Sequence, residues 1–258
     1  MLLAIDVGNT NTVIGLFQGP VLLWDWRIRT ERNMTEDEFN LLVTGLFTQN
    51  GLQPSQLEQT VVSCVVPPLV GILEAFCRKY LQHIPLWVNA KSTAKMPILY
   101  RNPFEVGADR LVNAVAAFDK YRTSLIVIDF GTATTFDVIS DKGEYLGGAI
   151  SPGIMIASEA LYQNASKLPR IEIYAPPANV IGKTTEDSMK AGIILGYAGL
   201  VDGIVKRIKQ EIKTDPTVIA TGGLARLMGD VSETIEAIEP DLTLQGLRII
   251  STGAYAEP

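Results

Sequence analysis

The chain opens on an apolar run, Leu2–Ile5, which ends at Asp6-Val7-Gly8 and is followed by a second apolar stretch reaching Phe17. A turn at Gln18-Gly19-Pro20 leads into a third run, Val21–Ile28. Strands joined by short turns in this way predict a hairpin meander. The pattern then returns. Residues 125–140 read LIVIDFGTATTFDVIS against LLAIDVGNTNTVIGLF at 2–17. At a constant offset of 123 the two share Leu2/Leu125, Ile5/Ile128, Asp6/Asp129, Gly8/Gly131 and Thr12/Thr135. The second copy has its own turn, Asp141-Lys142-Gly143, and its own third strand, Glu144–Ile150.

Helical spacing appears between and after these strands. Thr35–Gln49 carries Phe39, Leu42, Val43 and Leu46 on one face, with Thr35 and Glu38 spaced as a capping box. Leu69–Leu81, Asp109–Tyr121 and Asp187–Lys209 show the same periodicity. They alternate with apolar strands at Val61–Val66, Leu125–Ile128 and Thr217–Thr221. Such alternation predicts an α/β layered fold. The echo predicts two similar halves meeting near residues 115–124, divided here as 1–117 and 118–258.

Composition narrows the function. Hydrophobic residues make up 47% and charged residues 19%, enough apolar material for a core. The net charge is −6 and no basic run appears, which argues against nucleic acid as a partner. One histidine, His83, excludes a His-rich zinc site and reads as structural. Two cysteines, Cys64 and Cys77, form no C-x-x-C and read as buried, inert thiols in a reducing cytoplasm. The longest uncharged stretch, Gln59–Leu73, is 15 residues and contains Pro67 and Pro68, short of the roughly 20 apolar residues of a membrane span. No targeting segment is expected. Trp24 and Trp26 are expected to pack rather than bind.

Three segments could hold a nucleotide. Asp6-Val7-Gly8-Asn9-Thr10-Asn11-Thr12 follows a buried strand. Gly8 permits a tight turn close to an anion. Asn9, Thr10, Asn11 and Thr12 offer amide and hydroxyl donors to phosphate, and Asp6 suits Mg²⁺, which keeps its waters and takes few carboxylates. An ordinary strand-end turn would look similar; the second copy at Asp129–Thr135 favours phosphate. Two facing loops of this kind could hold one nucleotide in a cleft between two domains. The third segment, Val218–Ala225 with Thr221-Gly222-Gly223, is a strand, a turn and a helix start. Gly182-Lys183-Thr184 is not a P-loop, because Pro177 stands where the motif needs glycine. Gly107-Ala108-Asp109-Arg110 opens a helix. Asp109 there is either a cap or a carboxylate at the mouth of a cleft, with Arg110 beside it to neutralise an anion. Tyr100 either packs or stacks on a ligand.

The order of these motifs resembles the actin, Hsp70 and sugar-kinase superfamily, and within it the chain is similar to type III pantothenate kinases. The stretches that carry the likeness are DVGNTNTV at 6–13, YRNPFEVGADR at 100–110, DFGTATT at 129–135, GGAISPG at 147–153, LPRIEI at 168–173, IGKTTEDS at 181–188 and ATGG at 220–223. The resemblance implies a duplicated actin-like ATPase fold of two ribonuclease H-like domains. It also implies ATP-dependent phosphorylation of pantothenate, the first step towards coenzyme A. By it, Asp6, Val7, Gly8, Asn9, Thr10, Asn11, Thr12 and Val13 bind ATP phosphates, with Asp6 near Mg²⁺. Thr132 contacts ATP. Asp109 is the base for the substrate hydroxyl. Tyr100, Gly107, Ala108, Asp109 and Arg110 line the pantothenate pocket, together with Thr185. Asp129 holds a monovalent cation, K⁺ or NH₄⁺. The family reads Gly-Lys-Asn-Thr where this chain has Thr184 in the Asn position. A cytoplasmic homodimer is expected, with no nucleic-acid or membrane partner. A nucleotide-binding regulator that kept the fold and lost the reaction is the rival reading; Asp109, Arg110 and Asp129 together argue against it.

Overall fold

The computed structural model describes residues 1–93 and 95–253. They fall into two compact units. The first comprises Met1–Ala116 and the chain from Thr243 onward; the second is Ala117–Leu242.

In the first unit, β1 (Leu2–Val7), β2 (Asn11–Gln18) and β3 (Val21–Arg29) form the expected antiparallel meander. α1 (Glu36–Gln49) follows, and β4 (Gln59–Cys64) returns parallel to β1. α2 (Pro67–Phe76) and the two-residue β5 (Leu86–Trp87) complete the sheet, in the order β3-β2-β1-β4-β5. The central strands are apolar on both faces because helices cover both faces. α1 begins at the expected capping box: the Thr35 amide donates to Glu38 Oε2 at 2.7 Å and the Glu38 amide to Thr35 Oγ1 at 3.3 Å. α2 starts at the two prolines, whose missing N–H groups cost nothing there. It then loosens into a π-turn over Cys77–Leu81. β3 is an edge strand. Trp26 packs on Phe47, ring centres 5.7 Å apart, but Trp24 is 43% exposed, contrary to its expected packing.

The second unit repeats the plan. β6 (Leu125–Phe130), β7 (Ala133–Ile139) and β8 (Tyr145–Pro152) form a meander. α4 (Ile154–Asn164) and α5 (Thr185–Ile212) precede β9 (Thr217–Gly222), which runs parallel to β6. α6 (Ala225–Gly229) and β10 (Ala237–Ile238) end it, in the order β10-β9-β6-β7-β8. Strand for strand this is the order of the first sheet. α5 is long and apolar enough by length and composition to cross a membrane, but Met189, Ile193, Ile194, Val201 and Val205 are buried in the unit's core.

α3 (Ala108–Tyr121) contains the point where the units divide. α7 (Leu242–Ser251) belongs almost wholly to the first unit, whereas the division at 117/118 assigns it to the second half. Its contacts explain why. Thr243 Oγ1 donates to Asn113 Oδ1 at 2.8 Å, and Leu244 lies on Gly15. Gly246 presses so closely on α3 that a Cβ there would sit 2.2 Å from the Val112 carbonyl oxygen.

Candidate active site

The equivalence of the two units extends to register. Asp6 is the penultimate residue of β1, opposite Val13 on β2 and Ser63 on β4. Asp129 is the penultimate residue of β6, opposite Thr135 on β7 and Thr221 on β9. The first turn has one residue more than the second. Thr12, opposite Val7, therefore corresponds to Thr134, opposite Phe130, and not to Thr135 as a constant offset suggests.

In the first turn the Gly8 amide donates to the Asn11 carbonyl at 3.0 Å. Asn9 and Thr10 are exposed, Gly8, Asn11 and Val13 half-buried, and Val7 buried. Thr12 is also buried, with its hydroxyl 3.0 Å from Thr30 Oγ1, while Thr30 Oγ1 donates to the Gly8 carbonyl at 2.7 Å. The Thr12 hydroxyl thus braces the turn. Thr30 has no motif signal in the sequence, because its role depends on a contact 22 residues away.

The second turn closes through the Gly131 amide on the Ala133 carbonyl at 3.1 Å. Thr132 is exposed, and its carbonyl accepts the Gly153 amide at 3.1 Å. A Cβ on Gly153 would fall 2.3 Å from that same oxygen, so only glycine fits at this entry to α4. The Thr-Gly-Gly segment meets this turn. Gly222 has φ +90°, and a Cβ there would lie 2.5 Å from Asp129 Oδ1. The left-handed backbone and the missing side chain together leave the Asp129 carboxylate its place.

Asp109 stands in the first turn of α3, and its Oδ1 accepts the Arg110 amide at 2.8 Å. Gly107 keeps room for it: a Cβ at that position would be 2.6 Å from Oδ1. Burial pushes the Asp109 carboxyl above the usual carboxylate range, opposed by the Arg110 amide and the Arg110 charge. Arg110 is buried, and Ala108 and Tyr100 are half-buried. In the second unit, Thr184 caps α5, accepting the Asp187 amide at 3.1 Å, and Thr185 is the exposed first residue of that helix. Gly182 lies against the Ser188 backbone.

Among the described residues no three His, Cys, Asp or Glu side chains cluster as a metal site. Asp6 and Asp129 are each a strand-end carboxylate. Cys77 is buried as expected, with its thiol pushed up to about 12 by burial, whereas Cys64 is half-buried rather than buried, its thiol also raised by burial; His83 Nε2 lies 2.8 Å from Thr60 Oγ1, a structural role.

Two five-stranded sheets of the same order, each with an Asp-x-Gly turn at the end of its first strand, define an ATPase fold of the actin and sugar-kinase class. Solved structures agree on the fold. A protein of Sinorhizobium meliloti named as a 2-dehydro-3-deoxygalactonokinase superposes with a TM-score of 0.60 at 10% identity, over 99% of each chain. A Campylobacter jejuni protein named for the Baf family of transcriptional activators superposes with 0.62 at 16% identity, over 98% of each. Sequence is more specific. The family model of type III pantothenate kinase matches residues 2–207. The type III pantothenate kinase of Desulfatibacillum aliphaticivorans is 65% identical over 250 residues, 97% of each chain. This chain belongs to the type III pantothenate kinase family.

Proposed function

We propose that Asp109 is the general base of the reaction this family carries out, the ATP-dependent phosphorylation of pantothenate in coenzyme A biosynthesis. The supporting observation is a carboxylate at the start of α3 whose pKa is raised by burial and whose place is kept open by Gly107. A base works best with a pKa lifted towards the working pH. Asp109 takes the proton from the primary hydroxyl of pantothenate as that oxygen bonds to the γ-phosphorus of ATP. The bond from the γ-phosphorus to its bridging oxygen breaks, ADP leaves, and 4'-phosphopantothenate remains. Arg110 beside it faces the carboxylate of the substrate, and Tyr100, Gly107, Ala108 and Thr185 complete the pantothenate contacts.

Residues 6–13 of the first turn and Thr132 of the second are the ATP contacts in this reading. The backbone and the exposed Asn9 and Thr10 meet phosphate, while Thr12 acts through Thr30. Family membership implies a divalent metal with ATP. Asp6 fits Mg²⁺ held through water: it is a carboxylate at the end of β1, and the hydroxyl of Ser63, its register neighbour, is buried without a hydrogen-bond partner. Asp129 fits K⁺ or NH₄⁺, in oxygen-rich surroundings shared with Thr135 and Thr221 and walled by Gly222. When bound, these cations spread the negative charge of the transferring phosphoryl group.

A homodimer accounts for the apolar surface of the second unit. Ile150, Met155, Ile156, Tyr174, Val180 and Ile181 are between 47% and 80% exposed, and a second copy would cover them. In this reading the partners are pantothenate, ATP and a second copy, in the cytoplasm, without nucleic acid or membrane. The test is Asp109→Asn. Turnover should fall by about 10²–10⁴-fold, with ATP binding retained. Near-normal kcat in that variant would remove Asp109 from the role.

A further inference from the structure

Neither phosphate turn contains a cation: 6–12 and 129–135 hold no Lys or Arg. Phosphoryl transfer nonetheless depends on positive groups set against the phosphates. In the first unit a positive charge reaches the turn from outside it. The segment that follows β3 is fastened along the β1–β2 turn, with the Thr30 amide on the Thr10 carbonyl at 3.0 Å and the Thr30 hydroxyl on the Gly8 carbonyl. Two residues on, Arg32 Nη2 donates to Asn9 Oδ1 at 3.2 Å. Both side chains are exposed at the tip of the turn. Asn9 is a neutral acceptor and uses one donor of the guanidinium. No ion pair with a described residue neutralises Arg32. A guanidinium fork aimed by one amide presents its other N–H groups to oxyanions with bidentate geometry.

We propose that Arg32 binds the terminal phosphates of ATP, positioned by Asn9. This rests on the reading of the β1–β2 turn as the ATP site. A purely structural Arg32 would staple the turn and nothing else, and the two roles differ in measurable ways. A phosphate ligand discriminates ATP from adenosine. A staple changes both together.

The experiment compares wild type, Arg32→Ala, Arg32→Lys and Asn9→Ala by steady-state kinetics and by titration with ATP and with adenosine. Arg32→Ala should lower kcat/KM for ATP about 10–100-fold, the range of a lost charge-assisted bond. KM for pantothenate and adenosine affinity should hold, and the decline of kcat/KM with added salt should flatten. Arg32→Lys should recover part of the loss, because it restores charge without the fork. Asn9→Ala should show a smaller loss in the same direction. Unchanged kcat/KM for ATP in Arg32→Ala, or parallel loss of ATP and adenosine binding, overturns the proposal. If wild type releases no ADP with pantothenate while Arg32→Ala still loses its preference for ATP over adenosine, Arg32 stands and the kinase reading falls.

Discussion

Asp109 is held in conflict with its own stability. Burial is the largest influence on its carboxyl and raises its pKa, so the ionised form that the proposed base role requires is the form the site disfavours. The sign follows. A carboxyl with a folded pKa above its unfolded value contributes stability at low pH and loses it as pH rises through the folded pKa. At neutral pH the charge therefore weakens the fold. Asp109→Asn should lose activity and yet raise Tm, by about 2–4 °C for each kcal/mol relieved in a chain of this size. Thermal melts of the two proteins at neutral pH check this; a lower Tm in the variant contradicts the burial argument. With Asp109 as the proposed base, kcat/KM of wild type should rise with pH through the raised Asp109 value, and the acidic limb should vanish in Asp109→Asn. Sequence leaves this residue ambiguous between a cap and a base, since both want a carboxylate in a helix's first turn. The packing of Gly107 against its carboxylate shows only in three dimensions. Thr30 and Arg32 carry no local motif either, because each acts through a contact distant in sequence.

At the scale of elements, close backbone approaches fix where helices dock. Gly246 lets α7 rest on α3, and a Cβ 2.2 Å from the Val112 carbonyl oxygen cannot be accommodated by rotating a side chain. Gly246→Ala should destabilise the first unit by about 1–3 kcal/mol, the usual cost of overpacking, measured as a lower denaturation midpoint. An unchanged midpoint would mean that α7 docks otherwise. The long periodic helices and the two meanders were legible in the sequence because burial on one face enforces period. β5 and β10, at two residues each, are too short to show any. α7 reads poorly because Gly246 sits in its middle and Thr243, Ile249 and Ile250 are β-branched. Its place with the first unit comes from tertiary contacts, which a division at the sequence echo cannot see. The echo itself misleads by one residue past the turn, since a constant offset ignores the shorter second loop.

For the whole molecule, the strand order is duplicated and the family is that of the type III pantothenate kinases. The proposed homodimer should be the species found in solution. Met155→Glu with Ile156→Glu should shift it towards monomer in sedimentation, and a wild-type monomer would contradict the reading of that surface. Duplication was visible in sixteen aligned residues, 2–17 against 125–140, because each unit needs the same Asp-x-Gly turn at its first strand. Pantothenate phosphorylation in this family is shown by sequence, and the monovalent cation at Asp129 is the proposal to be tested with it. The most direct measurement is coupled ADP release from wild type with ATP, Mg²⁺ and pantothenate, in K⁺ and again in Na⁺. Release should require pantothenate and fall sharply when Na⁺ replaces K⁺. ATP binding without pantothenate-dependent release would contradict this.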